Sequence, residues 1–207
     1  MCDLERKNTY RTVQKRSEGF YKEKGSKFIG IVSRCYNEEE AKQLLDDWRN
    51  EHAQAGHLCY AYRIGLNGER YRANDDGEPS NSAGAPILGQ LQSYDLTNTL
   101  IGVVRYYGGT KLGVGGLINA YRTAAKEAID ANEIVDLEVY LHVKLDFEYA
   151  DMVGVMNCLK RWNIEMDEHS FEIECEIECS LPLPVEKSIQ SELKAFETMK
   201  ITNKGIY

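Results

Sequence analysis

The stretch 105–117, RYYGGTKLGVGGL, places five glycines and two cations between an apolar run and a helical pattern. A glycine-rich turn that opens a helix presents unpaired backbone N–H groups and a partial positive charge, which is the chemistry of an anion site. Arg105 and Lys111 add full charges to it, Tyr106 lies alongside, and Gly108, Gly109, Gly113, Gly115 and Gly116 leave the backbone bare. Glycine serves close packing of backbone on backbone equally well, so anion binding and packing both stay open. The stretch is neither a Walker motif nor G-x-G-x-x-G, and it implies no particular nucleotide.

A second cluster, residues 74–80 (NDDGEPS), holds Asp75, Asp76 and Glu78 within four positions, with Ser80 just beyond. Carboxylates so close can hold a hard cation or supply a general base. Asp-Gly and Glu-Pro are also turn formers, and the spacing departs from the calcium loop, so a solvated turn is the stronger reading and no metal or cofactor is expected. His57 reads as a structural donor with no nucleophile to activate. Ser80 and Ser82 lack the strand-to-helix elbow of a hydrolase serine, and Cys59 alternates within a strand. No catalytic residue is assigned, and nothing obliges the chain to be an enzyme.

The elements that must position these clusters follow from periodicity. Residues 28–35 form a β-branched strand, and 58–66 and 69–73 form a hairpin about Asn67-Gly68. Between them, Asn37 and Glu40 cap a helix that buries Ala41, Leu44, Leu45 and Trp48. A second helix is expected from Pro86, whose missing N–H suits a first helical position. A strand over 100–106 then feeds the glycine turn, and a third helix from Gly115 or Gly116 buries Leu117, Ala120, Tyr121, Ala124, Ala128 and Ile129. From about residue 135 the pattern reads strand (139–147), helix (151–162), two strands, helix (185–196), strand (199–203). In the second of the paired strands Phe171, Ile173, Cys175, Ile177, Cys179 and Leu181 alternate with four glutamates and Ser180, one face core and the other a glutamate ladder. The order β-α-β-β-α-β is that of a ferredoxin-like unit. The expectation is an α+β protein of two domains, residues 1–134 and 135–207.

Charge divides the chain at the same place. Residues 1–132 carry 18 Lys+Arg and 17 Asp+Glu, and residues 133–207 carry 7 and 16, so the net charge of −8 is entirely C-terminal. This balance argues against a protein that coats nucleic acid. Within the first part, residues 101–126 hold four basic side chains and no acidic one, which is where an anion would be received. No apolar run approaches the roughly 20 residues of a membrane span and the N-terminus lacks an apolar signal core, so the chain is expected in the cytoplasm. The six cysteines (Cys2, Cys35, Cys59, Cys158, Cys175, Cys179) form no Cys-x-x-Cys pair and read as free thiols, mostly in the core.

The two clusters in this order, DDGEPS (75–80) with AGAP (83–86), then RYYGG (105–109) with KLG (111–113) and GGL (115–117), resemble the signature of the YigZ/Impact family. The resemblance covers most of residues 15–130, and the C-terminal part is similar to the smaller second domain of bacterial members. It implies a first domain with the ribosomal protein S5 domain 2-like fold and a second like domain V of elongation factor G. Eukaryotic members are translational regulators in the amino-acid starvation response, and bacterial members have been suggested to bind RNA, nucleotide or ribosome. The expectation for this chain is a non-enzymatic factor contacting RNA, the ribosome or a translation-related protein through the glycine turn. The alternative is a nucleotide or phosphorylated small-molecule binder or enzyme using the same turn. A third reading docks a protein partner on the acidic C-terminal sheet.

Overall fold

The computed structural model describes residues 8–206. Tyr10–Leu137 forms one compact unit, and the residues from Glu138 onward belong to another.

The first unit runs β1 (Thr9–Val13), β2 (Ser17–Glu23), β3 (Ser26–Arg34), α1 (Glu38–Glu51), β4 (His57–Ile64), β5 (Arg70–Asn74), α2 (Gly84–Ser93), β6 (Thr99–Tyr106), α3 (Gly113–Asp130) and β7 (Ile134–Glu138). Five strands form one sheet in the order β2-β3-β6-β4-β5, with β1 and β7 paired apart from it, and every pairing described within the five is antiparallel. Because successive side chains of a strand point to opposite faces, β6 feeds two cores. Ile101 and Val103 join Ile87, Leu91, Leu117, Tyr121 and Ala124 beneath α2 and α3, whereas Leu100 and Val104 join Ala41 and Trp48 beneath α1. The same alternation turns Arg105 toward α3 and Tyr106 toward α1.

Asn37 caps α1 as its spacing predicts, accepting from the Glu40 N–H at 2.9 Å while the Glu40 carboxylate accepts from the Tyr36 N–H. Three details differ from the expectation. The β4–β5 connection spans residues 65–69 rather than a two-residue Asn-Gly turn, since Ile64 pairs with Arg70 and Asn98 holds the Gly65 N–H. Helix α2 starts at Gly84, which moves Pro86 to the third position, still within the turn whose N–H groups have no helical acceptor. Helix α3 starts at Gly113, so the glycines after it lie inside its first turn.

The second unit runs β8 (Tyr140–Glu148), α4 (Met152–Arg161), β9 (Met166–Phe171), β10 (Glu174–Pro182), α5 (Glu186–Leu193) and β11 (Lys200–Ile206). Its sheet order, β11-β8-β10-β9, with antiparallel pairings, is that of a ferredoxin-like unit, as the element order predicts. The class is α+β throughout. The glutamate ladder needs one correction. Phe171 ends β9 and β10 begins at Glu174, so residues 172–173 form the hairpin turn, and Ile173 is 87% exposed rather than core. The face is also less bare than its sequence suggests, because Lys144 pairs with Glu176 and Asp146, and Lys204 and His142 pair with Glu178. No helix among the described residues is long and apolar enough to cross a membrane.

Candidate functional site

Strand β6 is buried along its length, and a cation near its end requires a partner. Arg105 is 6% exposed, and its Nη1 donates to Glu78 Oε1 at 2.5 Å. The same oxygen accepts from the Tyr121 hydroxyl at 2.8 Å. Burial, followed by Cys59 and Glu78 nearby, pushes the Tyr121 hydroxyl far above its usual range, so it stays protonated and donates. The guanidinium carbon lies 5.5 Å from the ring centroids of Phe28 and Tyr107, within cation–π range of both. His57 sits opposite Arg105 in the β4–β6 ladder. Its Nδ1 bonds the Asp76 carbonyl at 2.7 Å, which places the proton on Nδ1 and leaves Nε2 at 3.9 Å from Glu78.

The loop after β5 thus has a role for each carboxylate. Asp75 accepts from the N–H groups of Asn81, Ala83 and Gly84 at 2.8–2.9 Å, a negative charge at the N-terminus of α2. Asp76 accepts from the Leu58 N–H at 2.6 Å and from Arg49 at 3.0 Å, tying β4 to α1. Glu78 turns inward to Arg105. These three carboxylates are directed at N–H donors in three places, and among the described residues no cluster is arranged to hold a metal ion. Ser80 is exposed.

The two sequence clusters meet in a cleft of about 460 Å³, lined by His57, Glu78 and Pro79 on one side, by Arg105 and Tyr107 at the end of β6, and by residues 111–114 with Leu117 from the turn and α3. Lys111 is exposed and makes no ion pair among the described residues. Helix α3 has no side-chain cap and no acid in its first turn, so its leading N–H groups are unpaired within the helix. Gly113 sits at φ +71°, a left-handed angle that favours glycine. Val114 and Tyr107, 51% and 58% exposed, give the cleft an apolar wall.

Not every expected residue converges there. Tyr106 lies on the opposite face, its hydroxyl 2.9 Å from His52 Nδ1. Gly108 packs against the β2–β3 turn, with its N–H donating to Ser26 Oγ at 3.1 Å. Gly109 is at φ +84°, with nothing near the position a Cβ would take. The thiol nearest the cleft, Cys59, donates to the Asp75 carbonyl at 3.0 Å and is pushed up to about 12 by burial, which makes it a poor nucleophile. Cys35, Cys158, Cys175 and Cys179 are likewise free and buried, and Cys2 lies outside the described residues. The Glu78–Arg105–Tyr121 linkage was not read from sequence. Its one signal was a charged residue closing an otherwise apolar strand.

A two-unit α+β protein with a ferredoxin-like second unit, and a cleft at a helix N-terminus of the first, is thereby defined. The model of the Impact N-terminal domain matches residues 24–129. The chain is 36% identical over 148 residues to the IMPACT family member YvyE of Bacillus subtilis (strain 168), covering 70% of this chain and 68% of that protein. It is 34% identical over 134 residues to the IMPACT family member YigZ of Escherichia coli (strain K12), covering 64% and 66% respectively. The crystal structure of a hypothetical protein aligns with a TM-score of 0.75 at 25% identity, over 94% of this chain and 97% of that one. The chain belongs to the IMPACT family.

Proposed function

We propose that this protein is a non-enzymatic, cytoplasmic factor associated with translation that contacts RNA or the ribosome through the cleft at the start of α3. Lys111, the remaining donors of Arg105 and the amides of the glycine turn meet the phosphate. Membership of the IMPACT family supports the link to translation. The observation that carries the contact is the convergence of an unpaired lysine, a buried arginine and an uncapped helix N-terminus in one cleft. The thiol nearest the cleft, Cys59, is held protonated by burial, which removes it as a nucleophile.

The test is co-sedimentation with ribosomes and with bulk RNA at low and moderate salt. Salt-sensitive binding is expected, because neutralised phosphates release counterions. Lys111→Glu is the informative variant, since the side chain is exposed and the fold does not depend on it; it should weaken binding about tenfold. Arg105→Glu would set a second carboxylate against Glu78 and report on folding instead. A wild-type protein that pellets with neither, or a Lys111→Glu protein that binds unchanged, removes this reading.

The size of the cleft favours a second reading, a phosphorylated small molecule, since ligand pockets run from about 300 to 1,000 Å³. It predicts that one phosphorylated ligand stabilises the folded protein by roughly 2.7 kcal/mol at a hundredfold excess over its Kd. A broad panel that leaves the melting temperature unmoved rejects it.

A further inference from the structure

Arg105 is the most incompletely satisfied group in the cleft. A guanidinium carries five N–H donors, and only Nη1 has a partner, Glu78. Its Nε is buried with none. A buried donor left unpaired costs about 1–3 kcal/mol, and the guanidinium carbon lies 5.5 Å from the ring centroids of Phe28 and Tyr107. Arg105 lines the cleft, so an acceptor oxygen that enters there meets a guanidinium donor.

The depth of that donor restricts what can reach it. A phosphodiester within a strand carries one charge and continues on both sides, so it can lie across the mouth near Lys111 but cannot descend to a side chain 7% exposed. A phosphate monoester ends the chain. It has three free oxygens and a charge of about −1.5 to −2, so it can address Arg105, Lys111 and the first N–H groups of α3 together. His57 lines the same cleft. The one lining carboxylate, Glu78, has its Oε1 shared by Arg105 and Tyr121, which offsets its repulsion. Beside the cationic floor, the exposed ring of Tyr107 offers a stacking surface for a base.

We infer, resting on the phosphate-contacting reading above, that the cleft recognises a nucleoside monophosphate group, its terminal phosphate on Arg105 and its base on Tyr107, in preference to phosphates inside a strand. The group can come from a free nucleotide or from the end of an RNA. The whole chain is titrated with AMP, adenosine, inorganic phosphate, and one oligoadenylate prepared with 5′-phosphate, 3′-phosphate or hydroxyls at both ends. At least one end-phosphorylated oligonucleotide, or AMP, should bind tenfold or more tighter than its unphosphorylated counterpart. Tyr107→Ala should lose the advantage of AMP over inorganic phosphate, and Lys111→Ala should weaken the preference for the phosphorylated end.

AMP binding without any oligonucleotide binding supports the inference and removes the RNA reading. Oligonucleotides bound equally with and without end phosphates overturn the inference while the RNA reading survives. AMP bound no tighter than inorganic phosphate also overturns it. Binding by none of the probes removes both.

Discussion

Glu78→Ala is expected to lower the unfolding free energy of the N-terminal unit by about 3–5 kcal/mol, the usual cost of stranding one member of a buried charge pair. Both partners are secluded, with side chains 7% and 5% exposed. The truncation also takes the acceptor from the buried Tyr121 hydroxyl. Urea unfolding followed by the fluorescence of Trp48, 1% exposed in the core under α1, reports on this unit when Trp162 of the other is replaced by phenylalanine. Glu78→Gln keeps an acceptor oxygen without the charge and should lose less. Removing the charges together, as Glu78→Leu with Arg105→Met, should recover most of the stability, since an apolar replacement of a buried pair is often neutral. A loss below about 1 kcal/mol for Glu78→Ala would mean that water reaches the pair, and the seclusion on which the cleft's chemistry rests would be gone.

That coupling shows where the sequence stops being legible. The glycine turn and the acidic loop are visible as separate clusters because each is local, and so are the helices with their 3.6-residue stripes. What joins them is register. His57 faces Arg105 because β4 and β6 pair antiparallel, and Glu78 reaches the same place because β5 returns along β4 and its loop folds inward. No local pattern encodes either fact. Ile173 fails for the converse reason: its alternation with glutamates runs unbroken through a hairpin turn, so a period of two persists where the strand does not. The ferredoxin-like order of the second unit survived that slip, since it depends on the sequence of elements and not on their edges. Asp75 was legible as a turn former, but its work at the start of α2 needed the chain to fold back over six to nine residues.

The glycines of the turn were open to two explanations, and a pair of alanine substitutions separates them. A Cβ on Gly108 would lie 1.9 Å from the Gly25 carbonyl carbon and 2.2 Å from the Ser26 nitrogen. Both are backbone atoms, so no rotamer change makes room. Gly108→Ala should cost about 3 kcal/mol or more, at or beyond the upper end of overpacking penalties, because the β2–β3 turn must move away from the end of β6. Gly115 has open space at its Cβ position and no left-handed φ. In the first turn of α3, Gly115→Ala should gain about 0.4–1 kcal/mol by restricting the unfolded chain. Measured by denaturant unfolding, the two variants should therefore move in opposite directions. Their binding is the decisive comparison. If Gly115→Ala is more stable yet binds RNA or AMP several-fold more weakly, the bare backbone at that position is kept for a ligand. If it is more stable and binds as wild type, Gly115 takes no part in the contact, and the phosphate rests on Arg105, Lys111 and the amides nearer Gly113.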